Sequence, residues 1–252
     1  MNTFCIHHKS WAILLFSFLF SFLFSCLVSF GQKKVQSDSF DIKRASFYLP
    51  QPNLLKKYTS SIGVVYVVPP ADWTHDIVAA PMFVYQGKYA LPKGFNVQAS
   101  LSTIFISNRI LFGPFWDHKI NEDYYLGLGW QLAWNYGRLY EFGFSTTITG
   151  WEQQPSITIG RMFKKSALIL RGDLYWNTDL SISEGGNKVP SANPFINGYS
   201  FFLNYEQKLY KNRALSLGLQ MDYVRYHIIA WPAFPVNGKH YWLPEFKISL
   251  NL

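Results

Sequence analysis

An alternating stretch in the middle of the chain constrains the fold more than any other feature. Every second residue from Tyr124 to Tyr136 is apolar, and most of the intervening residues are small or polar. Only a β-strand places such a set on one face, because a helix would distribute it around the helix axis. At about 3.3 Å per residue, this strand exceeds most strands of soluble proteins but suits a tilted strand that crosses a bilayer.

The composition agrees with membrane-spanning strands rather than membrane-spanning helices. Aromatic residues make up 19% of the 252 residues and charged residues only 15%. The mean hydropathy is close to zero. A bundle of transmembrane helices would be far more apolar, whereas strands that alternate apolar and polar residues average out in this way.

The first 31 residues predict an export signal. Lys9 supplies a positive charge ahead of a long apolar run, and Ser29 and Gly31 are the small residues that a signal peptidase needs. The mature chain would begin at Gln32. Two alternatives remain open, since the run is long enough for a transmembrane anchor and the stretch 23–26 resembles a lipoprotein cleavage box.

Charge and cysteine content exclude several classes of site. Cys5 and Cys26 are the only cysteines and both fall within the predicted signal, so the mature chain would have no disulfide and no thiolate metal site. Loss of Lys9 reduces the formal net charge from +8 to +7. The basic residues are scattered, which argues against a nucleic-acid partner and favours acidic lipid headgroups.

Further alternating stretches predict a barrel. Residues 60–68 form the predicted first strand, and residues 82–89, which follow a possible short helix or linker at 72–80, are the alternative. The remaining predicted strands are 95–105, 109–115, 124–136, 140–149, 157–163, 168–176, 199–209, 215–223 and 239–252. This count gives ten strands, and twelve if residues 82–89 also pair and a further strand restores an even number.

The connections between these strands predict two different ends. Short turns are expected near Asn108, Gly137, Lys165 and Asn212, and long loops near Asp117, Glu152, Asn187 and Pro235. In a bilayer, unpaired backbone groups cost several kcal/mol each, roughly, so the sheet is expected to close on itself.

Two more detailed expectations concern strand faces and register. On the predicted strand 140–149, Thr146 and Ile148 are expected to face outward. A three-residue turn at 211–213 would place Leu209 opposite Leu215 and Tyr205 opposite Leu219.

The chain resembles a known class of membrane protein. The signal that ends at Gly31-Gln32, the alternating strands and the apolar alternation up to Leu252 resemble those of outer-membrane β-barrel proteins of Gram-negative bacteria, and cleavage before Gln is similar to that in Bacteroidota. The resemblance covers residues 60–252 and identifies no specific member. It implies an all-β, closed antiparallel up-and-down transmembrane barrel with short periplasmic turns and longer extracellular loops. Residues 32–58, interrupted by Pro50 and Pro52, are interpreted as a periplasmic lead-in, and residues 59–252 as the barrel.

Two sets of residues follow from the predicted faces. Charged residues expected to line the lumen, mostly as ion pairs, are Glu141, Arg171, Asp173, Glu206, Lys208, Asp222, Glu245 and Lys247. Residues expected in the aromatic girdles are Tyr124, Trp134, Tyr136, Tyr140, Trp176, Tyr199, Tyr223 and Trp242.

Three hypotheses of function remain. The first is a small pore or solute-passage barrel with a charged, largely salt-bridged lumen. The second is a structural or interaction barrel whose loops near Asn187 and Pro235 engage a protein partner.

The third hypothesis is an enzyme that acts on lipid or peptide. The class that the chain resembles includes enzymes with His, Asp and Ser residues at the outer rim of the barrel. The candidate catalytic residues in this sequence are His118 beside Asp117, His227 and His240. No serine or second acid accompanies them at a fixed spacing, and no metal or phosphate-binding motif occurs, so neither catalysis nor a cofactor is expected.

Overall fold

A computed structural model describes residues 42–52, 56–70, 80–140, 145–189, 194–210, 212–227 and 239–252. The predicted signal, the possible helix at 72–80 up to residue 79, and Glu141 lie outside these residues. The strands are β1 (Tyr58–Val67), β2 (Ala80–Ala90), β3 (Phe95–Thr103), β4 (Ser107–Lys119), β5 (Tyr124–Leu139), β6 (Thr146–Met162), β7 (Ser166–Glu184), β8 (Asn187–Val189), β9 (Phe195–Lys208), β10 (Ala214–Val224) and β11 (Tyr241–Asn251). Short 3₁₀ turns occupy Ile42–Arg44 and Pro92–Gly94.

Ten long strands form one closed antiparallel barrel. Each strand pairs with its neighbours in the sheet, β1 pairs with β11, and the β6–β7 pairing completes the ring. The three-residue β8 only extends β7 as a small hairpin near its end. Closure leaves none of the ten long strands as a sheet edge, which confirms the predicted fold class.

The strand count is correct, although two of the strand assignments are wrong. β2 pairs with both β1 and β3, so residues 60–68 and 82–89 are both strands. The predicted strands 140–149 and 157–163 belong to the single strand β6, which passes through the loop expected at Glu152. These two differences compensate, and the alternative of twelve strands is wrong.

The polar residues in the middle of β6 explain why its continuity was missed. Glu152 and Gln154 face the interior and are buried, so their polarity does not indicate a loop. Gln153 faces outward, and its side-chain oxygen accepts a hydrogen bond of 3.1 Å from Trp130 Nε1. A polar residue on the apolar face is tolerated where a neighbour satisfies it.

The faces predicted for Thr146 and Ile148 are also wrong, since both side chains are buried inside the barrel. The prediction assumed that the alternation that places Tyr140 outward continues without a break through the connection between β5 and β6. Alternation is a property of an unbroken strand, and a connection can reset it.

The two ends of the barrel differ in their connections. β1 begins and β11 ends at one end, here called the terminal end, where the connections 91–94, 120–123, 163–165 and 209–213 are all short. The other end, here called the distal end, carries the connections 68–79, 104–106, 140–145, 185–194 and 225–240. The distal end carries the longest connections, as predicted, but its connection 104–106 has only three residues, and the turns expected near Asn108 and Gly137 lie at this end. Asp117 lies within β4 rather than in a loop.

The register between β9 and β10 differs from the prediction by two residues. Leu215 lies opposite Gln207 and Leu219 opposite Leu203. The connection 209–213 has five residues and is closed by a hydrogen bond of 3.0 Å from Leu209 N–H to the carbonyl of Arg213. Because the shift is even, every side chain keeps its face.

The apolar faces of the alternating strands lie on the outside of the barrel. Leu128, Trp130, Leu170 and Leu217 are 44%, 51%, 51% and 44% exposed. The opposite faces of the same strands carry buried polar side chains such as Gln131, Asp173 and Ser216. The predicted sidedness is therefore confirmed, and the barrel has an apolar exterior and a largely polar interior.

Within the described ranges, no helix is both long and apolar enough to cross a membrane.

Candidate functional site

Residues 42–52, here called the inner segment, lie inside the barrel at its terminal end. Ile42 and Leu49 are fully buried and belong to a cluster with Tyr125, Ala167, Ile169 and Ala214 of the barrel wall. The interpretation of residues 32–58 as a periplasmic lead-in did not include this position inside the barrel. The apolar residues of this mostly polar stretch become buried because the wall here presents small residues such as Ala167 and Ala214.

Glu206 of β9 attaches the inner segment to the wall. Its carboxylate accepts hydrogen bonds of 3.0 Å from the backbone N–H groups of both Phe47 and Tyr48, and another from the Ser46 hydroxyl. Asn251 Nδ2 of β11 donates to the same carboxylate at 2.7 Å. Four donors around one buried carboxylate compensate for the loss of its hydration.

Glycines on the inner faces of two strands make room for the inner segment. A Cβ atom at Gly160 would lie 2.5 Å from Leu49 Cδ1, and one at Gly127 would lie 2.8 Å from Pro50 Cβ. Such separations are well below van der Waals contact. The small residues on the inner faces of these strands therefore leave space for the inner segment.

A buried ion pair lies beside the inner segment. Lys88 Nζ is 2.9 Å from Asp117 Oδ2, and Asn96 Nδ2 donates to the same oxygen at 3.0 Å. Lys88 Nζ also donates to the Leu49 carbonyl at 3.5 Å. Lys88 was not among the predicted lumen charges because the pairing of β2 was uncertain.

The pairing of Asp117 with His118, considered for catalysis, does not occur. The two residues are consecutive in β4, so their side chains point to opposite faces. Asp117 is buried inside, whereas His118 is exposed outside and stacks on Trp116 with 5.3 Å between ring centroids. Ile110, Phe112 and Trp116 are even-numbered apolar residues on the outer face. The same alternation predicts that Asp117, which is odd-numbered, faces inward.

A cavity of about 140 Å³ lies between the inner segment and the distal end. Phe47 and Tyr48 of the inner segment contribute to its lining, and so do apolar wall residues such as Val65 and Val224. Its acidic, basic and histidine lining residues are Arg109, Glu152, Arg171, Asp173, Asp222, His227, Glu245 and Lys247. The lining therefore combines polar and apolar surface in similar amounts and carries both signs of charge.

Most of these charges are engaged with one another. Arg109 forms an ion pair with Glu152, and Arg171 Nη2 lies 2.7 Å from Asp173 Oδ1. Lys247 Nζ donates to Gln86 Oε1 at 2.8 Å and also lies 4.9 Å from the centre of the Tyr48 ring. This last contact links the cavity wall to the inner segment.

Asp222, His227 and Glu245 form a compact group on the cavity wall. His227 Nε2 lies 3.0 Å from Glu245 Oε1 and 3.8 Å from Asp222 Oδ2. Burial opposes protonation of His227, which follows the end of β10. The hydrogen bond to Glu245 and the negative charges of Glu245 and Asp222 outweigh that effect and raise the pKa of His227 above its usual value.

The predicted lumen charges occupy two levels of the barrel. Glu206 and Lys208 are buried at the terminal end, near the inner segment. The set around the cavity is Arg171, Asp173, Asp222, Glu245 and Lys247. Arg109 and Glu152 also line the cavity, but they were not predicted to do so. Arg109 stood at the start of a short predicted strand and Glu152 in a predicted loop, so neither was assigned to the inner face.

The predicted girdle residues lie on the outer face at both ends. Tyr124 begins β5 at the terminal end. Tyr199, Tyr223 and Trp242 form a cluster toward the distal end, with ring centroids 5.4 Å apart for Tyr199–Tyr223 and 4.8 Å for Tyr223–Trp242. The others near the distal end are Trp134, Tyr136, Tyr140 and Trp176. His240 is exposed and stacks on Tyr223 with 5.1 Å between ring centroids, whereas the His227 side chain is only 11% exposed.

Comparisons with known proteins give only distant structural similarity. No protein-family model matches the chain, and no curated protein matches it. Neisserial surface protein A is 14% identical with a TM-score of 0.39, over 78% of this chain and 97% of that one. The translocator domain of autotransporter NalP from Neisseria meningitidis is 10% identical with a TM-score of 0.37, over 78% and 88% of the two chains. The CymD monoaromatic hydrocarbon channel is 8% identical with a TM-score of 0.35, over 78% and 66%.

At this level of similarity, the class of the protein rests on its own geometry. The ten long strands close without an edge, their outer faces are apolar with aromatic residues toward both ends, and their inner faces are mostly polar. A water-soluble barrel would have the opposite sidedness. The chain has the fold of an outer-membrane β-barrel.

Proposed function

We propose that the protein passes small polar or ionic solutes across the outer membrane and that the inner segment closes its lumen at rest. The observation that carries this proposal is the boundary of the cavity. Toward the terminal end, the cavity is bounded by Phe47 and Tyr48, which belong to a chain segment rather than to a strand. A segment of this kind can move without opening the barrel itself.

The contacts of the inner segment support a closure that is specific but reversible. Its polar attachment is concentrated on Glu206, with further contacts from Tyr48 to Gln86 and to Lys247. Hydrogen bonds to a charged group contribute roughly 1.5–3 kcal/mol each. Loss of a few such bonds is comparable with the energies of ordinary conformational switches, which amount to a few kcal/mol, roughly.

The cavity supports passage of small polar solutes rather than large ones. Its volume of about 140 Å³ is below the roughly 300–1,000 Å³ of pockets that hold drug-sized ligands. Ten strands leave little space once side chains fill the interior. Charges of both signs in the lining favour solutes that are themselves polar or charged.

Conductance in planar bilayers tests this proposal. The wild-type protein is expected to stay mostly closed, and a variant that lacks residues 42–52 is expected to conduct steadily. Heat-dependent migration on gels would verify that the shortened barrel is folded. A folded but sealed shortened barrel would contradict the proposal.

A second candidate is a sealed structural or interaction barrel. An apolar cluster inside the barrel toward the distal end favours it, with Val67, Ile148, Val224 and Leu243 almost fully buried. In this case the connections near Asn187 and Pro235 would bind a protein partner. Deletion of those connections would then abolish complex formation while the barrel still assembles.

The proposed passage of solutes involves no catalytic step. Ser200, a serine close to the Asp222 group, donates to Asp173 at 3.4 Å and accepts from Tyr175 at 2.9 Å. It is thus engaged in the wall network rather than activated by His227. Assays of lipid and peptide turnover with the His227→Gln variant test this expectation.

A further inference from the structure

We propose that Asp222, His227 and Glu245 bind one divalent transition-metal ion of the Zn²⁺ class on the wall of the cavity. The ligand atoms of the three side chains all lie within 4.8 Å of one another. With bonds of about 2.0–2.2 Å, donor atoms around a tetrahedral Zn²⁺ ion are separated by roughly 3.4 Å. The observed separations of 3.0 Å and 3.8 Å from His227 Nε2 lie on either side of that value.

An unsatisfied carboxylate oxygen points independently to a ligand. Asp222 is only 1% exposed, and its Oδ2 atom has no hydrogen-bond partner. A buried acceptor without a donor costs about 1–3 kcal/mol, and more when it is charged. This is the oxygen that faces His227 Nε2, so a cation between the two side chains would supply the missing partner.

The other oxygen of Asp222 is held as metal-ligating carboxylates usually are. Asp222 Oδ1 accepts hydrogen bonds from the Tyr175 hydroxyl at 3.1 Å and from Gln220 Nε2 at 2.8 Å. These bonds fix the carboxylate plane and leave Oδ2 directed at the group. Such supporting partners orient ligands and strengthen metal binding.

The charge balance of the cavity favours a cation at this position. Glu152 and Asp173 have arginine partners, Arg109 and Arg171. Among the described residues, the ion pairs of Asp222 and Glu245 are with the His227 imidazole alone. Metal ligation requires both carboxylates to be ionised and the imidazole to be neutral, and a divalent ion neutralises the resulting charge of about −2.

The donor set selects the class of metal. Imidazole nitrogen suits Zn²⁺ and its neighbours in the first transition row, whereas Ca²⁺ and Mg²⁺ prefer oxygen ligands in larger number. Three protein ligands leave one or more coordination positions open toward the cavity. The site goes beyond the proposed passage of solutes, which requires no bound ion.

Calorimetric titration of Zn²⁺ into the folded full-length protein in detergent, after treatment with a chelator, tests the proposal. One ion per chain is expected. Asp222→Asn, His227→Gln and Glu245→Gln should each weaken binding by more than the roughly 10- to 100-fold that loss of a supporting partner costs. His118→Gln and His240→Gln are matched controls, since both histidines are exposed on the outer side, and they should bind like the wild type.

Tyr175→Phe separates loss of binding from loss of folding, because it keeps all three ligands and removes only a hydroxyl that is hydrogen-bonded to Asp222, Ser200 and Gln220. It should bind Zn²⁺ about 10- to 100-fold more weakly. Unchanged Zn²⁺ affinity in folded ligand variants would overturn the proposal, and so would absence of binding to the wild type. Tighter binding of Ca²⁺ than of Zn²⁺ at these residues would overturn the assignment to a transition metal.

Discussion

The backbone N–H of Tyr48 donates to the carboxylate of Glu206 across 3.0 Å, although 158 positions separate the two residues in the chain. The bond joins the inner segment to the barrel wall. It also fixes the Tyr48 ring under the cavity, where Lys247 lies over that ring. Glu206 thereby connects the stability of the barrel with the closure of its lumen.

Glu206→Gln should release the inner segment. An amide cannot accept all the hydrogen bonds that the carboxylate accepts, and the weakened attachment should lower the free energy of unfolding by about 1–3 kcal/mol. Limited proteolysis of the folded protein should then cut near residues 42–52 more rapidly than in the wild type. Glu122→Gln, at an exposed turn residue, is the control and should change neither quantity. Equal cleavage rates in Glu206→Gln and wild type would show that Glu206 does not hold the segment.

Gly160→Ala should destabilise the protein, although Gly→Ala changes in strands usually do not. The added Cβ would lie 2.5 Å from Leu49 Cδ1, and overpacking of this kind costs about 1–3 kcal/mol. Adding Leu49→Ala to the same chain should restore part of the loss measured by urea unfolding. At Gly172 the nearest atom would be 3.8 Å away, so Gly172→Ala is a matched control expected to be tolerated. Failure of the second change to rescue the first would argue against a contact between them.

Lys88→Met should be among the most destabilising single changes in the interior. It leaves the buried Asp117 carboxylate with only the Asn96 amide, and removal of one partner of a buried pair costs about 3–5 kcal/mol. The double variant Lys88→Met with Asp117→Leu should recover most of that stability in urea unfolding, because no unpaired charge remains. A double variant as unstable as the single one would indicate that packing, not charge, dominates at this position.

Leu203→Arg tests which face meets lipid. Leu203 lies in the middle of β9, between Leu170 and Leu219 on the neighbouring strands. An arginine at the bilayer midplane costs about 2–4 kcal/mol in a β-barrel, whereas one near the interface costs about 0–1 kcal/mol. Ile196→Arg, on the same strand toward the distal end, is the comparison for folding into lipid vesicles. Equal costs at the two positions would contradict a membrane-spanning exterior.

The sequence was sufficient for the class of fold because its information is local. In the stretch from Tyr124 to Tyr136, the pleat alone assigns a face to each residue, so sidedness followed without knowledge of any partner strand. The same reasoning placed Asp222, Glu245 and Lys247 inside. It failed where the pattern is interrupted, as at Glu152 and Gln153 of β6, because a polar residue looks the same in a loop and on a satisfied strand.

The tertiary structure alone decided the contents of the lumen. The contacts of Ser46, Phe47 and Tyr48 with Glu206, and of Leu49 with Gly160, join residues that are distant in the chain. Likewise, Asp222, His227 and Glu245 meet only because β10 and β11 pair with Asp222 opposite Leu243 and Gln220 opposite Glu245. Alternation specifies which face a side chain occupies, whereas pairing register and the path of a free segment determine which side chains meet, and those depend on the free energy of the whole barrel.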